Sequence, residues 1–337
     1  MKDSKKKFTF TTEKFLILII VLYCIVVTCV NPGFFSAATL FDMIKSSAGS
    51  MVVAMGLLLV IITGGIDVSF TAVAISSGYI ATTIMMNTGI NNIFFGFAIA
   101  IIIGIVLGLI NAVLIHVTKM EPFIITLATQ SIFHGCLTTF VGTKNIGSVD
   151  IPTAITKFGG ARLFTMTDEY GNKTGLSIYI LIVIAVVALT WWIMYKTMLG
   201  RSVFALGCSA ESARRAGFNS WKTHLFVYAY IGMLGAIYGM LSIGGVNACN
   251  PVSMVGTELT IIAAVIIGGA KVTGGSGSIL GTLLGVFIMY LFNQTLVFLG
   301  FSSSWNNLFL GVVLIVSIVI TSYQERRKNR RLFIFTE

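Results

Sequence analysis

A chain of 337 residues that is 56% hydrophobic and only 10% charged is not a soluble globular domain, where about a quarter of residues are charged. The net charge of +10 does not indicate a nucleic-acid binder, because Lys and Arg cluster at the chain ends and between apolar runs, where membrane topology places them. The five cysteines (Cys24, Cys29, Cys136, Cys208, Cys249) are odd in number and lack CxxC spacing, so neither a disulfide framework nor a metal site follows.

The basic start MKDSKKKFTFTTEK gives way to an apolar run at 15–30. A cleaved signal, with Ser36-Ala37-Ala38 as the cleavage site, is the lesser reading because the run is long. The better one is a first transmembrane helix with its N-terminus inside. Further runs follow at 49–63, 68–86, 93–117, 123–141, 177–195, 224–244, 258–269, 279–299 and 305–321. A bilayer needs roughly 20 residues per helix, so these give ten candidate spans, several of them short or broken. Thirty-five glycines suit close helix packing and broken helices in lipid.

Charge tests the count. With ten spans and both termini inside, all of the 22 Lys and Arg residues lie inside except Lys45, Lys144, Lys157, Arg162 and Lys173. The expected organisation is a basic cytoplasmic segment at 1–14, a transmembrane domain at 15–321, and a basic cytoplasmic tail at 322–337. Within the domain, 142–176 is the large external loop, long enough for an ordered lid or docking surface. The segment 196–223 is the large internal loop.

That internal loop contains GRSVFALGCSAESARRAGFNSWK (200–222), with four positive charges against one negative. The helix formers of AESARRA, closed by Gly217, predict a short helix on the cytoplasmic face that offers its surface to a soluble partner. The plainer reading is a basic loop that only sets topology.

GGIDVSF (64–70) places Asp67 beside Gly64 and Gly65 at a membrane boundary. An ionisable group there is either functional or a cap on the following helix, and capping alone accounts for it. GGAKVTGGSGS (268–278) invites a phosphate-loop reading but lacks both G-x-x-x-x-G-K-[ST] and G-x-G-x-x-G. It predicts a tight turn between two helices, formed by Gly268, Gly269, Gly274 and Gly275, and no nucleotide site. Glu258 either starts a helix or faces a path. Asn111, Gln130, Asn293 and Gln294 either line a polar path or bond helix to helix. No Ser/His/Asp set, paired carboxylates or metal spacing appears, so no catalytic residue is assigned.

Together these blocks resemble the permease subunit of ribose-type bacterial ABC importers, the branch that also carries other monosaccharides and autoinducer-2. GGIDVSF is similar to that family's GGIDLSVG, and EPFIITLAT (121–129) to its P-x-F-I-x-T-L-G-T. GRSVFALGCSAESARRAGFN (200–219) and ELTIIAAVIIGGAKVTGGSGSILGTLLG (258–285) resemble its two longest blocks, in the same order. Thr71, Ala128 and Thr260 depart from the pattern, standing where the family has Gly, Gly and Asp.

The resemblance implies an all-α permease of about ten helices, like the membrane subunit of the vitamin B12 importer, in the bacterial inner membrane with both termini cytoplasmic. It implies a second permease copy or a paralogue, two cytoplasmic ATPases that hold ATP and Mg, and an extracytoplasmic binding protein. The chain itself binds no cofactor. In that scheme Glu211, Ser212, Ala213, Arg214, Arg215 and Gly217 form the coupling helix. Gly64, Gly65, Asp67, Ser69 and the four glycines at 268–275 form gating turns, and Thr126, Gln130, Glu258 and Asn293 lie along the path. A nucleoside permease of the same superfamily and an ion-coupled secondary transporter are the alternatives. The second suffers from a shortage of embedded carboxylates.

Overall fold

The computed structural model describes residues 12–167 and 173–300, with seven separate positions between 302 and 315. Each apolar run in this range is helical, since in lipid a helix satisfies every backbone N–H and C=O within itself. The helices are α1 (Thr12–Val30), α2 (Ala37–Ile62), α3 (Phe70–Thr88), α4 (Ile93–Thr118), α5 (Pro122–Cys136, extended by a π turn to Val141) and α6 (Thr153–Gly160). They continue with α7 (Tyr179–Lys196), α8 (Met198–Cys208), α9 (Ala210–Arg215), α10 (Ser220–Val246), α11 (Glu258–Ile267) and α12 (Ile279–Phe298). Seven of the described helices are long and apolar enough to cross a membrane: α1, α2, α4, α5 with its extension, α7, α10 and α12. The chain is a multi-pass, all-α membrane protein. The tenth run, 305–321, falls largely outside the described residues, as do the tail at 322–337 and residues 1–11 of the basic start.

Two spans differ from the hydropathy reading. The run at 49–63 is the second half of a 26-residue helix that begins at Ala37, where Ser36 accepts a hydrogen bond from Thr39 N (3.1 Å). Asp42, Lys45 and Ser46 broke the apolar pattern because they line a cavity, as described below. The run from 258 forms only the ten-residue α11, too short to span.

Helices α2 and α10 are the centre of the bundle. In their spanning portions 78% and 72% of residues are buried, against 11% for α1 and 22% for α4, whose outward faces suit lipid. Helix α10 lies against α2, α3 and α4 at once. Its seam with α4 is made of small residues: Gly96, Ala100, Gly104, Gly108 and Ala112 recur every fourth position and are all buried. A Cβ on Gly104 would collide with the carbonyl of Gly232, and one on Gly108 with that of Tyr228. This is the small-xxx-small route to close helix packing where lipid removes the hydrophobic driving force.

The segment 142–176 is ordered where described. Ile146 and Cys249 exchange backbone hydrogen bonds of 3.0 and 2.9 Å, joining it to the strip after α10. Asn91 caps α6 by accepting from Ala154 N (2.7 Å). Gly159 of α6 lies directly on the backbone of Gly244. A two-residue hairpin pairs Met166–Thr167 with Lys173–Thr174. Cys249 is fully buried here, and desolvation pushes its thiol up to about 12, so it is unreactive at neutral pH.

Candidate functional site

Three motifs far apart in sequence meet at one end of the bundle. Helix α2 ends at Ile62 and the chain turns through Gly64, whose φ is +87°. The glycine-rich turn after α11 reaches it: Gly275 N donates to Ile62 O (2.8 Å), and a Cβ on Gly274 would lie 3.0 Å from Gly64 Cα. The end of α8 closes the third side. A Cβ on Gly207 would overlap Ile62 O and crowd Gly275 N, and one on Gly275 would sit 2.9 Å from the Cys208 sulfur. At Gly207 and Gly274 backbone packs on backbone, which only glycine allows. Gly268 likewise lies on Gly281, closing α11 against α12.

Helix α9 stands on this junction. Ser209 caps it, accepting from Ser212 N (3.2 Å). Gly217 (φ +86°) ends it, with Phe218 N donating to Ala213 O (3.0 Å) and Gly217 N to Arg214 O (3.0 Å), a Schellman stop. Only Ala213 of the helix is buried. Glu211, Ser212, Arg214 and Arg215 are exposed, and Arg215 bonds Glu211 across one turn (2.5 Å). The short helix expected from AESARRA is therefore present with its charges outward.

Beyond the Gly64–Gly65 turn the chain runs through the bundle interior. Asp67 is 1% exposed, and its Oδ1 accepts from both Ser69 N and Ser69 Oγ (2.7 Å each), fixing the turn just before α3. Asn111 Nδ2 donates to the same Ser69 hydroxyl (2.7 Å). Among the described residues, Asn111 Oδ1 and the buried Tyr228 hydroxyl have no hydrogen-bond partner. Thr126 on α5 accepts from Val68 N and donates to Ile66 O (3.3 Å each), clipping α5 to the turn. One turn further, Thr71 at the start of α3 donates to Glu258 Oε2 at the start of α11 (3.3 Å) and accepts from Gln130 on α5 (3.5 Å). Glu258 also accepts from Gly256 N (2.8 Å). Two interrupted helices thus bring their N-termini together around one carboxylate, where the positive ends of both helices favour it.

Thr126, Gln130 and Glu258 therefore belong to one polar seam, whereas Asn293 lines a separate cavity with Tyr290, Thr257 and Thr260. The sequence singles out neither Tyr179 nor Tyr238 nor Tyr290, and marks Thr71 only as a departure from a motif. Tyr290, Asn293 and Gln294 show the i, i+3, i+4 spacing of one helix face, the signal that would have found that wall. Among the described residues, no three His, Cys, Asp or Glu side chains group to hold a metal.

A multi-pass bundle with a polar seam between interrupted helices and an exposed basic helix on one end is, as a class, a membrane permease. Residues 39–318 match the family described as branched-chain amino acid transport system / permease component, and the chain belongs to that family: it is a transport component, not an enzyme. It is 30% identical to the ribose import permease protein RbsC of Haemophilus influenzae, covering 96% of each chain. It is 31% identical to RbsC of Bacillus subtilis over 90% of each. The galactose/methyl galactoside import permease protein MglC of Escherichia coli is 29% identical, covering 97% of this chain and 99% of the relative. No solved structure matches the chain.

Proposed function

We propose that this chain is the membrane-spanning subunit of an ATP-driven ABC importer for a monosaccharide in the bacterial cytoplasmic membrane, with both termini cytoplasmic. The relatives named for ribose and galactose import support the substrate class. The observation that carries the reading is the junction beneath α9. The end of α8, which leads after one residue into the exposed helix α9 of mixed charge, packs backbone to backbone on the end of α2 and the α11–α12 turn. A push on α9 then moves both interrupted helices at once, and the Thr71–Gln130–Glu258 seam lies where they meet.

In this scheme ATPase subunits, which hold ATP and Mg, dock on Glu211–Gly217, with Arg214 as the leading contact. A second permease, identical or paralogous, faces the exposed side of α5 across the path. An extracytoplasmic binding protein delivers the sugar to the ordered 142–176 segment. ATP-driven closure of the ATPases biases the permease pair between two access states.

Purification of the tagged chain from its own host in mild detergent tests this. A co-purifying ATPase with a phosphate loop in about equal amount, and ATP-dependent sugar uptake by the reconstituted set, are expected. Gradient-driven uptake by the chain alone would overturn the proposal. In the same assay Glu211→Arg with Arg214→Glu reduces ATPase capture and uptake to background while membrane insertion is kept. Full uptake by that variant would remove α9 from coupling.

A further inference from the structure

Opposite the α9 end, a polar cavity of about 550 Å³ opens between the ends of α2, α7, α10 and α12. Its wall includes Asp42, Lys45, Ser46, Tyr179, Tyr290 and Gln294. A second chamber of about 190 Å³ lies against it, lined by Ser50, Tyr238, Thr257 and Asn293. Tyr290 and Gln294 border both chambers, and the Tyr290 hydroxyl is bonded to Ser50 (2.7 Å) across the partition. The size falls within the range of small-molecule sites, about 300–1,000 Å³.

Three features make this more than a packing gap. First, Tyr179 is 2% exposed, yet its hydroxyl has no hydrogen-bond partner among the described residues. A buried hydroxyl left without a hydrogen bond is destabilising and calls for an explanation. Gly244 keeps that position clear, since a Cβ there would come within 2.8 Å of the hydroxyl. Second, Asp42, Lys45 and Ser46 interrupt an otherwise apolar helix where it borders this space. Third, the chemistry is distinctive. Tyrosine faces and edges alternate with amide and hydroxyl groups, and one acid stands beside one base. A neighbouring cavity between α1, α2 and α12 is the opposite, lined by Phe34, Phe35, Leu40, Met43, Phe287 and Leu291.

We infer that each permease chain holds its own site for a neutral polyhydroxylated molecule, a monosaccharide, in this cavity, apart from the path between two permeases. Asp42 and Lys45, one of each charge on the wall, favour a ligand with many donors and acceptors and no net charge. The absence of a continuous apolar wall disfavours a lipid tail. The inference rests on the proposed function only for the choice of a monosaccharide. The cavity lies at the end of α10 that carries the 142–176 segment, so a sugar released there meets this site within one chain.

The test uses the full chain in lipid nanodiscs, without binding protein or ATPase. Equilibrium dialysis with labelled D-ribose and D-galactose, alongside inorganic phosphate, measures occupancy. One sugar per chain is expected, with no phosphate bound. Gln294→Leu and Tyr179→Phe each weaken sugar binding about tenfold, the scale of one lost hydrogen bond in a buried site. Tyr179→Phe carries a second signature. It removes an unpartnered hydroxyl, so the sugar-free protein unfolds at the same or a higher temperature while the sugar-induced rise is lost. A purely structural tyrosine would lower stability and leave the rise intact.

The inference is overturned if neither sugar binds at concentrations on the order of 100 mM, or if phosphate binds instead. It is also overturned if Gln130→Leu abolishes binding while both cavity variants leave it unchanged. Uptake by the assembled importer separates the two proposals. Transport of a sugar that the nanodisc-held chain does not bind sinks the cavity site alone. Binding by a chain whose assembly carries neither sugar supports the site and sinks the proposed transport role.

Discussion

At the end of the bundle that carries α9, the chain touches itself closely: backbone meets backbone at Gly64, Gly207 and Gly274, and Gly275 lies against the Cys208 sulfur. At the other end α2, α7, α10 and α12 stand apart around tyrosines, amides, an acid and a base, and the space between them is open. The first contact has no slack, so a displacement at α8 must move its neighbours. The second has room for side chains to change rotamer without moving a helix. A protein that must carry motion at one end and accommodate a small molecule at the other gains from keeping these two kinds of packing apart.

The strongest way to break the contrast is to put a side chain into the tight end. Gly207→Val places methyl groups on the Ile62 carbonyl and should cost about 3 kcal/mol or more, because both neighbours are backbone and cannot turn aside. Loss of monodisperse protein in detergent is the expected result, and a normally folded variant would show that the junction yields. Next comes Asp67→Leu, which leaves the buried Ser69 N–H and hydroxyl without their acceptor at about 2–3 kcal/mol. Asp67→Asn retains an acceptor oxygen and should fall well short of that in thermal unfolding. Equal losses for the two variants would mean that charge, not hydrogen bonding, matters at this turn.

At the open end, smaller effects are expected. Tyr290→Phe removes the bond to Ser50 from beside existing space and should cost about 1 kcal/mol, read as a modest drop in Tm. The smallest belongs to α9. Glu211→Ala breaks an ion pair whose side chains are 65% and 78% exposed, so stability should change by no more than ~0.5 kcal/mol. A larger fall would mean that α9 is structural, weakening its reading as a docking surface.

Most of the helices were legible because apolar length is a strong signal in lipid, and α9 because AESARRA is rich in helix formers and closed by Gly217. The start of α2 was hidden by Asp42 and Lys45, which read as a break because hydropathy does not distinguish a cavity wall from a loop. The convergence of GGID with GGSGS was not readable either. A glycine's role depends on which backbone approaches it, and the partners here are about two hundred residues away. Thr71 looked like a departure from a motif. Only in space does it become the hydroxyl joining Gln130 to Glu258.

Helix α10 begins at Ser220, a few residues beyond the stop of α9, and ends at Val246 on the rim of the open cavity. Its 27 residues make a rod about 40 Å long at about 1.5 Å per residue. Held close to α4 along a seam of small residues, it is a continuous helix suited to moving as one piece. A tilt of about 5° around the α9 end sweeps the far end through an arc of roughly 3.5 Å, about the width of one layer of atoms. In the proposed scheme, one lever arm would convert a small rotation at α9 into opening or closing of a space sized for a single small ring.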